Sequence, residues 1–222
     1  MTGVRLADFA LRMGRVEELL VVPGASPEVD ELAQRAGVLG VPVRQVSHRV
    51  VEAISDVKTP QPVAAVVRLP EVVPLGRLRW RWLAVADGLQ EPGNLGALVR
   101  TAHAAGFDAV VVLPNTADPF HPRALRGSAG SCLALPLACA TPEEVCAAAR
   151  VWVADPRGEV DYRQADYRPP VALVFGSEAA GARHPWPGAR TVRVPLAPGV
   201  ESLNVTAAAA VLMYEARRAW TA

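Results

Sequence analysis

The sequence predicts an α/β protein: a large domain built on a parallel sheet, preceded by a smaller α/β unit. Three observations predict it. Short apolar runs alternate with helical segments along the whole chain, the rhythm of layered α/β folds. The strands of the second part, such as Ala109 to Leu113, are apolar throughout, as strands buried on both faces of a parallel sheet are. Proline and arginine punctuate Leu69 to Arg81 (LPEVVPLGRLRWR), which reads as a linker and sets boundaries at 1–70, 71–81 and 82–222.

Each element follows from local chemistry. In the first part, Val4 to Met13 is an amphipathic helix and Val16 to Val22 a strand. Ser26 caps a helix whose first position is Pro27, where a missing N–H costs nothing, and which ends near Gly37. Val41 to Val46 is a strand, Ser47 opens a helix to Ile54, and Val63 to Arg68 is a strand. In the second part Trp82 to Ala86 is a strand. Asn94 to Ala105 is a helix stopped by Gly106, and Ala109 to Leu113 a buried strand. A short helix at Pro122 to Ala129 precedes a strand at Leu133 to Leu137. Thr141, Pro142 and Glu144 spell a capping box. Strands recur at Val151 to Ala154, Val171 to Phe175 and Thr191 to Val194, and a helix from about Asn204 to Ala219 closes the chain.

The bulk numbers exclude several classes. With 51% apolar and 20% charged residues, 222 residues can bury a real core in water. The longest apolar runs fall far short of the ~20 residues that span a bilayer. Arg5, Asp8 and Arg12 interrupt any apolar region of signal-peptide type, so a cytoplasmic protein is expected. Cys132, Cys139 and Cys146 are too few and wrongly spaced for a zinc site, and are expected to be buried thiols. His48, His103, His121 and His184 are scattered over separate segments, so no metal is expected. A net charge of +1 argues against a broad nucleic-acid face, and any RNA site must be a local patch.

Three segments are unusual as plain architecture. In DGLQEPGNLGALVRTAHAAGF, Asp87 to Phe107, a strand runs into a loop and a helix with Gly96 inside its first turn. Glycine there costs roughly 1 kcal/mol against alanine, so close backbone approach is expected in compensation. Arg100, six residues after Asn94, offers a two-pronged guanidinium for a phosphate or carboxylate, or is simply a surface arginine. In LVFGSEAAG, Leu173 to Gly181, a buried strand ends at Gly176 and Glu178 follows, at the strand end where ligands of open α/β sheets bind. Taken alone, that segment is better explained as a strand-to-loop turn with a solvated glutamate. In VPLAPGVESLNVTAAAAVLMYEA, Val194 to Ala216, Ser202 and Asn204 lead into a helix whose run Ala207 to Ala210 permits very close packing.

Taken together, N-x-G-x-x-x-R (Asn94, Gly96, Arg100), G-x-E-x-x-G (Gly176, Glu178, Gly181) and S-L-N-V-T (Ser202 to Thr206) resemble the SpoU family of RNA ribose methyltransferases in the SPOUT superfamily. R-G-S-A-G at Arg126 to Gly130 is similar to the family's small-residue helix. The resemblance covers about Trp82 to Arg218. The N-terminal unit, through DVKTPQPVAAV at Asp56 to Val66, resembles the small L30e-like RNA-binding domain that precedes many SpoU domains. It departs from that pattern in starting at the helix that follows the usual first strand.

The resemblance implies a trefoil-knot domain, an obligate homodimer, and S-adenosyl-L-methionine held largely by backbone groups at Gly176, Val194 and Leu203, with Leu196 and Ser202 beside them. No dinucleotide fingerprint is present, since Gly93-Asn94-Leu95-Gly96 does not fit one, and an oxidoreductase is disfavoured. The implied reaction is 2′-O-methylation of RNA. The family assigns the proton problem to Arg100, yet a guanidinium keeps its proton beyond about pH 12. Arg100 is therefore expected to bind an RNA phosphate and stabilise the developing alkoxide, with the formal base left open. Asn94, Glu178, Ser202 and Asn204 are expected to position the ribose and the loops.

RNA recognition is expected from Arg77, Arg79 and Arg81 in the linker and from His121, Arg123 and Arg126 beside the active face. Ribosomal RNA is favoured by the L30e-like unit. Transfer RNA as substrate, and a non-catalytic RNA-binding protein, remain open on the sequence alone.

Overall fold

The computed structural model describes residues 1–177 and 180–221, with side chains through residue 219. The chain divides into two compact units, Met1–Pro70 and Glu71–Ala222.

The first unit runs α1 (Val4–Arg12), β1 (Val16–Val21), α2 (Pro27–Val38), β2 (Val43–Gln45), α3 (His48–Ile54), β3 (Val63–Val67). Its sheet has the order β2-β1-β3, with β1 parallel to β2 and antiparallel to β3. α1 buries Leu6, Ala7, Ala10 and Leu11, the three-and-four spacing of one helical face. Ser26 accepts the Val29 N–H (3.3 Å) and Pro27 sits at the first position of α2, as its residues predict. Ser47 precedes α3 without a side-chain cap. Residues ahead of α1 add to the sheet: Met1 and Ala65 exchange backbone hydrogen bonds, and Thr2 bridges Ala64 in antiparallel fashion.

The second unit runs β4 (Val73–Pro74), a 3-10 turn, β5 (Trp82–Asp87), α4 (Pro92–Ala105), β6 (Ala109–Val112), α5 (Pro122–Gly127), α6 (Ser131–Ala134), β7 (Leu137–Cys139), α7 (Pro142–Ala148), β8 (Arg150–Ala154), β9 (Val160–Asp161), β10 (Val171–Gly176), β11 (Arg190–Arg193), α8 (Val205–Thr221). Eight strands form one sheet in the order β4-β7-β6-β5-β10-β8-β11-β9, and every pairing is parallel. All six residues of β5 and all six of β10 are buried, as continuous apolar runs require. Around them Leu83, Val85, Val111, Val174 and their neighbours form the core.

Some expectations change. Within the stretch read as a linker, Val73 and Pro74 pair with Ala138 and Cys139, and Leu75 is buried. Proline is tolerated there because β4 is an edge strand, with no partner needed on one side. The strand expected at Leu133 to Leu137 is instead the short helix α6, begun by Gly130 at φ 91, and β7 starts only after Pro136. β9 is two residues long, too short to leave a periodic signal. Of the three thiols only Cys132 is buried; Cys139 is exposed and Cys146 half-buried. Burial pushes the Cys132 thiol up to about 11. The Thr141 capping box is present in both directions, with Glu144 N–H to Thr141 Oγ1 at 3.2 Å and Thr141 N–H to Glu144 Oε2 at 2.7 Å. Among the described residues no helix is long and apolar enough to cross a membrane, and no group of three His, Cys, Asp or Glu is placed to hold a metal.

Candidate active site

The parallel sheet brings the carboxyl ends of β5, β10, β8 and β11 side by side. β10 ends at Gly176, in register with Asp87 at the end of β5. A side chain at 176 would overlap the backbone of Gly181, so glycine is required there. Ser177 and Gly181 exchange two backbone hydrogen bonds (2.9 and 2.8 Å), closing a tight loop at the strand end. Gly181 has φ +70, a conformation open to glycine without strain. Glu178 lies outside the described residues.

A cavity of about 690 Å³ opens between this loop, the end of β8 and the segment joining β11 to α8. Gly176, Val194, Leu196, Ser202 and Leu203, all nominated from the sequence, line it. So do the turn Asp155–Pro156–Arg157 and α8 residues Ala208 and Leu212, which the motifs do not include. The small residues expected to permit close approach to α8 thus serve in part as cavity wall at Ala208.

The first motif stands beside it. α4 starts at Pro92, earlier than Asn94, because Glu91 is the cap: its carboxylate accepts the Asn94 N–H (3.0 Å). Gly96 faces α5, where a methyl group would overlap the Ala124 carbonyl oxygen; the close approach expected of that glycine is therefore present. Asn204 caps α8 by accepting the Thr206 N–H at Oδ1 (3.0 Å), and its Nδ2 donates to Asn94 Oδ1 (3.5 Å). Two motifs separated by 110 positions thus meet at their asparagines. Arg100 lies on the exposed side of α4, outside the cavity lining, with no ion pair to a described residue.

Comparison with known proteins settles the family. A model of the SpoU rRNA Methylase family matches residues 82–214, and a model for RNA 2'-O ribose methyltransferase substrate binding matches residues 2–73. The chain belongs to the SpoU rRNA methylase family. It is 33% identical over 213 residues to the 23S rRNA (guanosine(2553)-2'-O)-methyltransferase RlmP of Bacillus subtilis (strain 168), covering 91% of this chain and 85% of that one. The AdoMet-bound rRNA methyltransferase from Sinorhizobium meliloti superposes with TM-score 0.82 at 31% identity, over 99% of this chain and 86% of that one. The SpoU methyltransferase AviRb from Streptomyces viridochromogenes, in complex with AdoMet, gives 0.83 at 28% identity, over 100% and 90%.

The remaining nominated residues of this SpoU chain are distributed more widely. His121 caps α5 through Nδ1, which accepts the Arg123 N–H (3.1 Å), and Arg123 reaches Glu91 at 3.3 Å. Arg126 is half-buried on the same helix. Arg77 stands 3.9 Å from Glu71, and Arg79 and Arg81 are exposed. A carboxylate beside the SpoU site also lies outside the motifs. Asp87 is wholly buried and accepts from the His184 N–H (3.1 Å), His184 Nδ1 (2.6 Å) and Trp186 Nε1 (3.0 Å). The signal available was a lone carboxylate ending the apolar run WLAVAD.

Proposed function

We propose that this protein transfers the methyl group of S-adenosyl-L-methionine to a ribose 2′-hydroxyl of ribosomal RNA, acting as a cytoplasmic homodimer with a trefoil-knotted catalytic domain. The observation that carries this reading is the cavity of about 690 Å³ at the strand ends, lined by all five residues nominated for the cofactor. Its size falls among ligand pockets. Val192, Val194, Leu196 and Leu212 give it an apolar wall suited to a purine, while Asp155, Arg157, Glu201 and Ser202 bring polar groups suited to an amino-acid tail and a ribose. Ribosomal RNA is favoured over transfer RNA by the match of residues 2–73 to a substrate-binding model and by relatives named for 23S rRNA. The threaded backbone rests on membership of the SpoU methylase family over residues 82–214.

S-adenosylmethionine, when bound, supplies a methyl group on a sulfonium, open to displacement by oxygen. The chain's own residues supply alignment, which carries much of the rate in such a transfer. Ser177, Ala180 and Gly181 on one side and the segment before α8 on the other line the cavity. The Asn94–Asn204 contact ties the first motif to the third, and with Glu178 and Ser202 it holds the loops and the acceptor ribose. Arg100 binds the adjacent phosphate and stabilises the negative charge that develops on the 2′-oxygen. Its exposure on one chain fits a site completed by a second copy.

Arg100→Ala is expected to cut methyl transfer at least 100-fold while S-adenosylhomocysteine affinity, read by calorimetry, changes less than twofold. A variant that methylates rRNA at the wild-type rate removes Arg100 from the reaction.

A further inference from the structure

The turn after β8 carries a carboxylate that the family motifs do not reach. The Asp155 N–H donates to Val192 O of β11 (3.0 Å), and the Gly158 N–H returns to Asp155 O (2.9 Å), closing a turn with Pro156 at its second position. Asp155 Oδ1 accepts the Arg157 N–H (2.7 Å). A methyl group at Gly158 would lie 2.7 Å from the Val192 carbonyl carbon, so the turn is pressed directly onto β11. The carboxylate is thereby fixed, half-buried, on the cavity wall, and no described side chain pairs with its second oxygen.

Sheet order decides what it meets. β10 separates β8 from β5, so the ends of β8 and β5 stand about 10 Å apart at ordinary strand spacing. The β5 side leads into α4 with Asn94 and Arg100, where the acceptor ribose lies in the reading above. A donor placed to react there would present its methyl end toward β10 and β5. Its nucleoside end would then lie toward β8 and β11, beside the apolar surface of Val192, Val194 and Leu196. Between purine and sulfonium stands a ribose whose free polar groups are two adjacent hydroxyls. A fixed carboxylate is the acceptor such a diol requires, the same pairing by which an acidic residue holds a nucleotide ribose in other open sheets.

We infer that Asp155 binds the ribose hydroxyls of the methyl donor and makes the cavity selective for a ribonucleoside. The inference rests on the methyl-donor reading, and its test separates the two. S-adenosylhomocysteine and its 2′-deoxy analogue are titrated calorimetrically into the wild type, D155A and D155N, the asparagine keeping an acceptor for the Arg157 N–H. The wild type is expected to prefer the ribose form about tenfold, the scale of one hydrogen bond to a charged acceptor. In both variants that preference shrinks, to about unity in D155A. A preference left intact in the variants, including one in which both ligands weaken equally because Asp155 faces the ammonium group, overturns the inference and leaves the methyl-donor reading standing. Failure of the wild type to bind either ligand overturns the methyl-donor reading itself, and the inference with it.

Discussion

Asp87 holds together the chain from His184 to Trp186, which follows the loop at the end of β10. Three donors converge on one wholly buried carboxylate, two of them from His184 and one from Trp186. Removing the acceptor strands those donors, and hydrogen bonds to a charged group contribute about 1.5–3 kcal/mol each. Asp87→Ala is therefore expected to destabilise the protein by about 3 kcal/mol, more than a surface carboxylate would. Urea titration measures this, and a loss below about 1 kcal/mol would show the network to be slack. The cysteines give a second test at this scale. Alkylation requires the thiolate, and burial raises the Cys132 thiol to about 11. At pH 8 in the folded protein Cys139 should be modified first and Cys132 last, with all three reacting once denaturant is added. Peptide mass mapping reads the order, and early labelling of Cys132 would contradict its burial.

Helices α4 and α5 cross where neither has room for a side chain. Gly96 meets the Ala124 backbone, and a methyl group on Gly127 would lie 2.8 Å from Gly93 O. Two effects oppose each other in Gly96→Ala: alanine favours the helix by about 1 kcal/mol, while overpacking costs about 1–3 kcal/mol. Because the obstacle is backbone, which cannot rotate away, the clash wins. A net loss of about 2 kcal/mol by urea titration is expected, and a stabilised variant would refute the close approach. Elements of this kind explain what the sequence could reveal. β5 and β10 were legible because both faces are buried, and the Thr141 capping box because its chemistry is local. The α6 segment reads as a strand because Leu133, Leu135 and Leu137 mimic strand alternation, whereas Gly130 and Pro136 set the real boundaries. β4 was hidden by its prolines, which an edge strand tolerates. At the site, Gly176, Ser202 and Leu203 are legible because short motifs carry them, and Val194 and Leu196 because the family resemblance extends over the segment ahead of the third motif. Asp155 and Asp87 are not legible in this way, because their contacts are made with chain distant in sequence: Asp155 with Val192 of β11, and Asp87 with the loop bearing His184.

At the scale of the molecule, the two units carry matches to different family models, one for substrate binding and one for methyl transfer. Net charge of +1 leaves little long-range attraction for RNA, so selectivity must come from local contacts and from the ribose itself. The central claim concerns which atom of RNA receives the methyl group, and alkali distinguishes the possibilities. Alkaline cleavage of RNA uses the 2′-oxygen as nucleophile, so a methyl group on that oxygen protects the linkage that follows it. The purified protein is incubated with methyl-labelled S-adenosylmethionine and unmodified 23S rRNA, and the RNA is then hydrolysed in alkali. The account predicts that label survives in an alkali-resistant dinucleotide from a single position. Label released as a base-methylated mononucleotide, or no transfer to rRNA at all, would contradict it.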